Sequence, residues 1–191
     1  FTTASEKAGV YLPYGKSLSV YGSTISDNEG IGLLANGSLQ AHSTNTYSNN
    51  TVAHLSVTQQ SIVKVINSTY SSGAVFIEDI NSQGMPSQNI TLGYLGEGAY
   101  YQLNASLTPK GTFTLEAGAH IKVAAGKYID SNGFGFNVNG NSGSPVTIEG
   151  TTATAGHWGG LRLKNYLSGS YSSTIDYLVL KHGGKSGSGV T

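Results

Sequence analysis

The chain has 191 residues, of which 38% are hydrophobic and only 10% charged, with ten basic side chains against ten acidic ones and no cysteine. That hydrophobic content fills a continuous core and excludes a disordered chain, and zero net charge removes the basic footprint that phosphate backbones and anionic lipids require. The missing cysteine excludes a disulfide framework and thiolate chemistry, and no apolar run approaches the length of a membrane-spanning helix, so neither nucleic-acid binding nor membrane insertion is expected.

In chain order, short runs of alternating apolar and polar residues predict strands at 17–21, 30–35, 53–57, 61–66, 74–80, 89–92, 112–116, 120–124, 134–138, 145–149, 160–164 and 174–180. Turns rich in Gly, Asn and Ser separate them. Residues 43–51 read as a surface loop and 83–88 as a turn around Pro86, and helical periodicity is hard to find. Such a string suits an antiparallel sandwich or a coil of parallel strands. Spacing favours the coil: Phe113 to Phe134 is 21 residues, Ile121 to Val146 is 25, and Phe136 to Leu161 is 25. Asn132-Gly133 and Asn139-Gly140 serve equally as hairpin turns or as corners of a coil.

The stretch from Asn89 onward carries a recurring phrase. It contains the strand 112–116, a corner at Gly118, the strand Ile121-Lys122-Val123 and the glycine-ended strand Phe136-Asn137-Val138-Asn139-Gly140. A proline-led strand, 145–148, and the segment Trp158-Gly159-Gly160-Leu161 complete it. This resembles the secreted right-handed β-helix proteins of prokaryotes, and the match spans residues 89–184. The resemblance implies an all-β fold, a right-handed parallel β-helix or solenoid, running as one elongated coil over residues 1–191. Residues 42–88 fit it loosely and 9–41 read as an earlier piece of the same coil. In such a coil Leu115, Ile121, Val123, Val146, Ile148, Leu161 and Leu163 point inward. Gly118, Gly126, Gly140 and Gly150 turn corners, and Trp158 covers apolar surface at one of them.

Chemistry-bearing residues are sparse. Glycoside cleavage needs carboxylates converging on one face, and the candidates are Glu116, Glu149, Asp130 and Asp176, with no spacing that pairs them on adjacent rungs. His42, His54, His120, His157 and His182 lack metal-ligand spacing, so no metal or cofactor is expected. Asp27-Asn28-Glu29-Gly30 and Asp130-Ser131-Asn132-Gly133 have the flavour of calcium loops without a full ligand set. Asn36, Asn49, Asn67, Asn89 and Asn104 each begin an Asn-x-Ser/Thr triplet and are the candidate N-glycosylation sites.

The functional expectation is therefore an extracellular structural or adhesive surface module, secreted or held at the cell surface, either as a piece of a longer monomeric surface protein or as a subunit of a filament or array. Its partners would be other copies of itself, other surface proteins or carbohydrate. The runner-up, by fold-level analogy, is a polysaccharide-binding or polysaccharide-cleaving β-helix. The chain starts at Phe1 and stops in a glycine-rich segment, which reads as part of a longer polypeptide.

Overall fold

The computed structural model describes residues 7–79, 84–131, 133–163 and 171–184. Nearly all of its regular structure is strand, every ladder between strands is parallel, and the stacked sheets form a β-solenoid. The chain divides into two compact units, residues 1–84 with 95–101, and 85–94 with 102–191.

In the first unit each rung lays one element, in most cases a strand, on each of three faces. β1 (Ala8–Leu12), β2 (Ser17–Tyr21) and β3 (Thr24–Ser26) form the first rung, and β4 (Ile31–Ala35), β5 (Ser38–Ser43) and β6 (Thr46–Ser48) the second. β7 (Ala53–Thr58), a 3-10 helix (Gln59–Asn67) and β8 (Thr69–Tyr70) make the third, and β9 (Gly73–Glu78) opens the next. Ladder partners lie 20 to 23 positions apart, as Ile31 with Ala53, Leu55 with Val75 and Thr46 with Thr69. Two-residue alternation turns Leu33, Leu55, Val57, Val75 and Ile77 into a fully enclosed core.

The strand expected at 61–66 is instead the 3-10 helix. Its β-branched composition looks extended, but Gln59, Ile62 and Val65 are all buried at a spacing of three, the period at which 3-10 side chains eclipse. The surface loop expected at 43–51 is also overturned. It holds β6, with Tyr47 fully enclosed and Asn45 and Asn50 buried beside it.

The second unit contains β10 (Ile90–Leu92), the end of β11 (Ala99–Leu103), β12 (Phe113–Glu116), β13 (His120–Val123), β14 (Ile129–Asp130) and β15 (Phe136–Asn139). β16 (Val146–Gly150), β17 (Leu161–Arg162), β18 (Thr174–Asp176) and β19 (Leu178–Leu180) follow. Within it β10, β12, β15 and β18 form one parallel sheet, β13, β16 and β19 pair in order, and β14 pairs with β17. Apolar columns run through the interior: Ile90, Phe113 and Phe136 stack in one, and Leu92, Leu115 and Val138 in the next, which the exposed Ile175 continues in register. The Phe113 and Phe136 rings sit 5.7 Å apart.

Here the equal-spacing expectation fails in detail. Phe113 stacks on Phe136 rather than Phe134, Ile121 on Ile148 rather than Val146, and Leu161 lies against Ile129 rather than Phe136. Of the predicted inward residues, Leu115, Ile121, Val123, Val146 and Ile148 are enclosed, but Leu161 is half-buried and Leu163 is 48% exposed. β17 is only two residues long, so Leu163 lies beyond the strand whose alternation would have turned it inward. The run 174–180 is broken at Tyr177, whose left-handed backbone (φ 48°) separates β18 from β19.

Gly118 and Gly126 adopt the left-handed backbone expected of corners. Gly140 and Gly150 do not. A side chain on Gly140 would meet the Tyr177 carbonyl at 2.6 Å, and one on Gly150 the His157 ring at 2.8 Å, so both are close-approach positions. Trp158 is fully enclosed, its indole N–H donating to the Lys181 carbonyl at 2.8 Å. Among the described residues no helix is long and apolar enough to cross a membrane.

Candidate functional site

The four candidate carboxylates fall on three different sheets. Glu149 lies in β16, in register with Lys122, and its Oε1 lies 3.0 Å from His120 Nε2. Asp130 is buried in β14 opposite Arg162, whose guanidinium lies 4.1 Å from the Tyr128 ring centroid. Only Glu116 and Asp176 share a sheet, and Asn139 stands between them on β15. Their backbones are two strand spacings apart, about 9.5 Å. The Asn139 amide donates to Glu116 Oε1 at 3.2 Å, so the central side chain is tied into the column.

Two histidines belong to a polar interior in the first unit. His42 Nδ1 donates to the Lys64 carbonyl (3.1 Å) and its Nε2 faces the Tyr47 hydroxyl at 2.7 Å, while Tyr47 stacks on Tyr70. Burial holds the His42 imidazole below its ordinary pKa and drives the Tyr47 and Tyr70 hydroxyls up. His54 Nδ1 lies 3.3 Å from the Asn50 amide nitrogen, and its Nε2 reaches the carbonyls of Ser71 and Ser72 at 3.2 Å. Asn45 and Asn50 are satisfied across rungs: Asn45 accepts from the Ser23 amide and donates to the Val20 carbonyl, and Asn50 donates to the Ile25 carbonyl. His157 is half-buried with Nε2 2.8 Å from the Thr151 hydroxyl, and His182 sits at a left-handed corner (φ 63°). Among the described residues no group of three His, Cys, Asp or Glu is placed to hold a metal ion.

In the first calcium-like loop each side chain turns to a different partner. Asn49 donates to Asp27, Asn28 donates to Asn50, and Lys7 pairs with Glu29 at 3.5 Å. The Ser26 hydroxyl and the Asn49 amide hold the Asp27 carboxyl below the usual carboxylate range. In the second loop Asp130 and Ser131 are buried, and Asn132 lies outside the described residues. Of the glycosylation candidates, Asn49, Asn67 and Asn89 are exposed, whereas Asn36 and Asn104 are half-buried.

The most distinctive surface is the outward side of the β10, β12, β15 and β18 sheet. Parallel register sets Thr91, Thr114, Asn137 and Thr174 in one outward column and Glu116, Asn139 and Asp176 in the next. Thr174 donates to Asn137 Oδ1 through both hydroxyl (3.3 Å) and backbone (3.4 Å). Tyr94 and Tyr177, each 61% exposed, follow β10 and β18, with Tyr94 beside Gly118 and Tyr177 beside Gly140. On the opposite border the exposed Tyr171 packs against Phe134, ring centroids 5.4 Å apart. Reading the chain locally misses this surface. Its signal is the polar-apolar-polar triplet, Thr114-Leu115-Glu116, Asn137-Val138-Asn139 and Thr174-Ile175-Asp176, which aligns only once the register is known.

Comparison of the chain with protein-family models, curated proteins and solved structures gives no match.

Proposed function

We propose that the chain is a structural or adhesive module of a cell surface or secreted assembly, extended by rungs from further copies of itself. The observation that supports this reading is that, among the described residues, apolar side chains in register with buried ones are themselves exposed in both units. In the first, Val10 and Tyr11 on β1 are in register with the buried Leu33 and Leu34, yet both are exposed. In the second, Ile175 and Leu180 continue the columns of Val138 and Ile148 and are 47% and 49% exposed.

A strand edge flanked by open apolar columns is a template for one more parallel strand. Docking β19 of one copy on β1 of the next uses two different surfaces, and a head-to-tail contact of that kind builds a filament wherever its rotation does not close a ring. Low charge and a hydroxyl-rich exterior suit a long-lived surface polymer, and the resemblance to secreted prokaryotic β-helix proteins points the same way.

Sedimentation velocity and electron microscopy of the purified chain test the reading. Filaments that lengthen with protein concentration are expected, with Leu180→Lys and Val10→Lys holding the chain monomeric. A monomer at every concentration, or undiminished assembly in both variants, overturns it.

A further inference from the structure

We propose that Asn36, Thr58 and Glu78, which follow one another on three successive rungs of the first unit, form a binding site for a calcium ion. The inference does not depend on the assembly reading above.

The register places the three side chains in one column. Ala35 pairs with Val57, and Thr58 pairs with Glu78. The 22-residue offset of Ala35 and Val57 carries on round the corner, where the Leu39 amide donates to Ser61 Oγ and His42 Nδ1 donates to the Lys64 carbonyl. Asn36 lies between these points and therefore stands beside Thr58. Ala35, Val57 and Ile77 are fully enclosed in the core, so two-residue alternation turns Asn36, Thr58 and Glu78 to the other side of the sheet.

Two oxygens in that column lack a partner. Asn36 Oδ1 and Thr58 Oγ1 are both shielded from water, and neither makes a hydrogen bond. Thr58 as a whole is 1% exposed. Buried polar atoms are costly to leave unpaired, and only three such side-chain atoms occur among the described residues. That two of the three fall at neighbouring positions of one column points to a ligand they share.

The chemistry of the column selects that ligand. An amide oxygen, a hydroxyl oxygen and a carboxylate are hard donors, with no sulfur or imidazole among them for a softer metal to prefer. Calcium takes such oxygens at about 2.3–2.6 Å. Two oxygens on opposite sides of one ion are then about 4.8 Å apart, the spacing of neighbouring strands. Glu78 is half-buried on the next rung and brings the negative charge, and the exposed Asp79 strengthens the local field. Water completes the coordination shell.

Thermal unfolding and isothermal titration of the 191-residue chain, stripped with EDTA and then given calcium chloride or magnesium chloride, test the proposal. Calcium binds with a dissociation constant on the order of 0.1–1 mM, the range of extracellular calcium modules. The melting temperature rises saturably, by about 5 °C at about ten times that concentration. Magnesium, which keeps its own waters, gives a smaller shift. Thr58→Val removes one oxygen at nearly constant volume, and Glu78→Gln removes the charge; each weakens calcium binding about tenfold or more. Without calcium, Thr58→Val melts no lower than the parent, because its hydroxyl has no partner to lose. Asp176→Asn, at a carboxylate of the second unit, binds calcium as the parent does. The proposal is overturned by the absence of a saturable calcium effect, by an equal response to magnesium, or by undiminished binding in both Thr58→Val and Glu78→Gln. A Thr58→Val chain that melts lower than the parent in EDTA overturns it too, since the hydroxyl would then serve the fold alone.

Discussion

The phenol ring of Tyr47 lies on that of Tyr70 one rung away, centroids 5.2 Å apart and planes 13° from parallel. Both rings are enclosed, and both hydroxyls are engaged, Tyr47 with His42 Nε2 at 2.7 Å and Tyr70 with the Val65 carbonyl at 2.9 Å. The pair thus fastens β6 and β8 to the 3-10 helix and to β5. Truncating Tyr47 to Ala opens a cavity and is expected to cost about 3–5 kcal/mol. Tyr47→Phe removes only the hydroxyl and costs about 1–3 kcal/mol, because His42 loses its partner in a buried site. Urea unfolding measures both; a loss under about 1 kcal/mol for Tyr47→Ala contradicts this packing.

His42 makes stability depend on pH. Burial lowers its pKa below the ordinary 6.5, so the unfolded chain takes up a proton before the folded one does. The contribution of neutral His42 is present above that ordinary value and is lost as pH falls below it. Melting temperature should drop between pH 8 and pH 5, and His42→Gln should flatten the profile. A pH-independent melt of the parent chain refutes the assignment.

The interior register separates two leucines that look alike in sequence. Leu115 is fully enclosed and Leu163 is 48% exposed. Leu115→Asp places an unpaired charge in a dry core and should abolish cooperative folding, whereas Leu163→Asp should change stability by no more than about 0.5 kcal/mol. Circular dichroism melts of the two variants decide, and equal tolerance of both contradicts the register.

How far the sequence could be read follows from the range of the interactions. Alternation is local, so Phe113 with Leu115 and Ile121 with Val123 announce their inward face directly. The polar interior is not local. Asn45 and Asn50 sit in a run that reads as turn residues, and their buried amides serve Val20, Ser23, Ile25 and Asn28, all 22 to 25 positions away. The 3-10 helix was hidden because Ile62, Val63 and Val65 suit a strand by composition, while their spacing, which decides burial, also fits three residues per turn. In the second unit the rungs lengthen unevenly. Ile121 and Ile148 are 27 apart and Val138 and Ile175 are 37 apart, so a constant period misplaces Leu161. The outward column of Glu116, Asn139 and Asp176 inherits that irregularity, which is why its members are not visible as a set.

Gly96 tests the closeness of the stack. It adopts φ 144°, and a methyl group there would overlap the Tyr70 carbonyl oxygen. Gly96→Ala is expected to cost at least about 2 kcal/mol through backbone strain and displacement of that carbonyl. Gly84, also at positive φ but with open space around it, gives the contrast: Gly84→Asn should be close to neutral. Thermal unfolding of the two variants is the check, and a neutral Gly96→Ala argues against the close approach.

The central claim, a structural or adhesive module at a surface, is tested most directly by immunogold electron microscopy of intact, non-permeabilised cells that make the protein. Gold should decorate the cell envelope or fibres leaving it, and protease added outside should remove the label. Label found only inside sectioned cells, and untouched by external protease, would contradict the account.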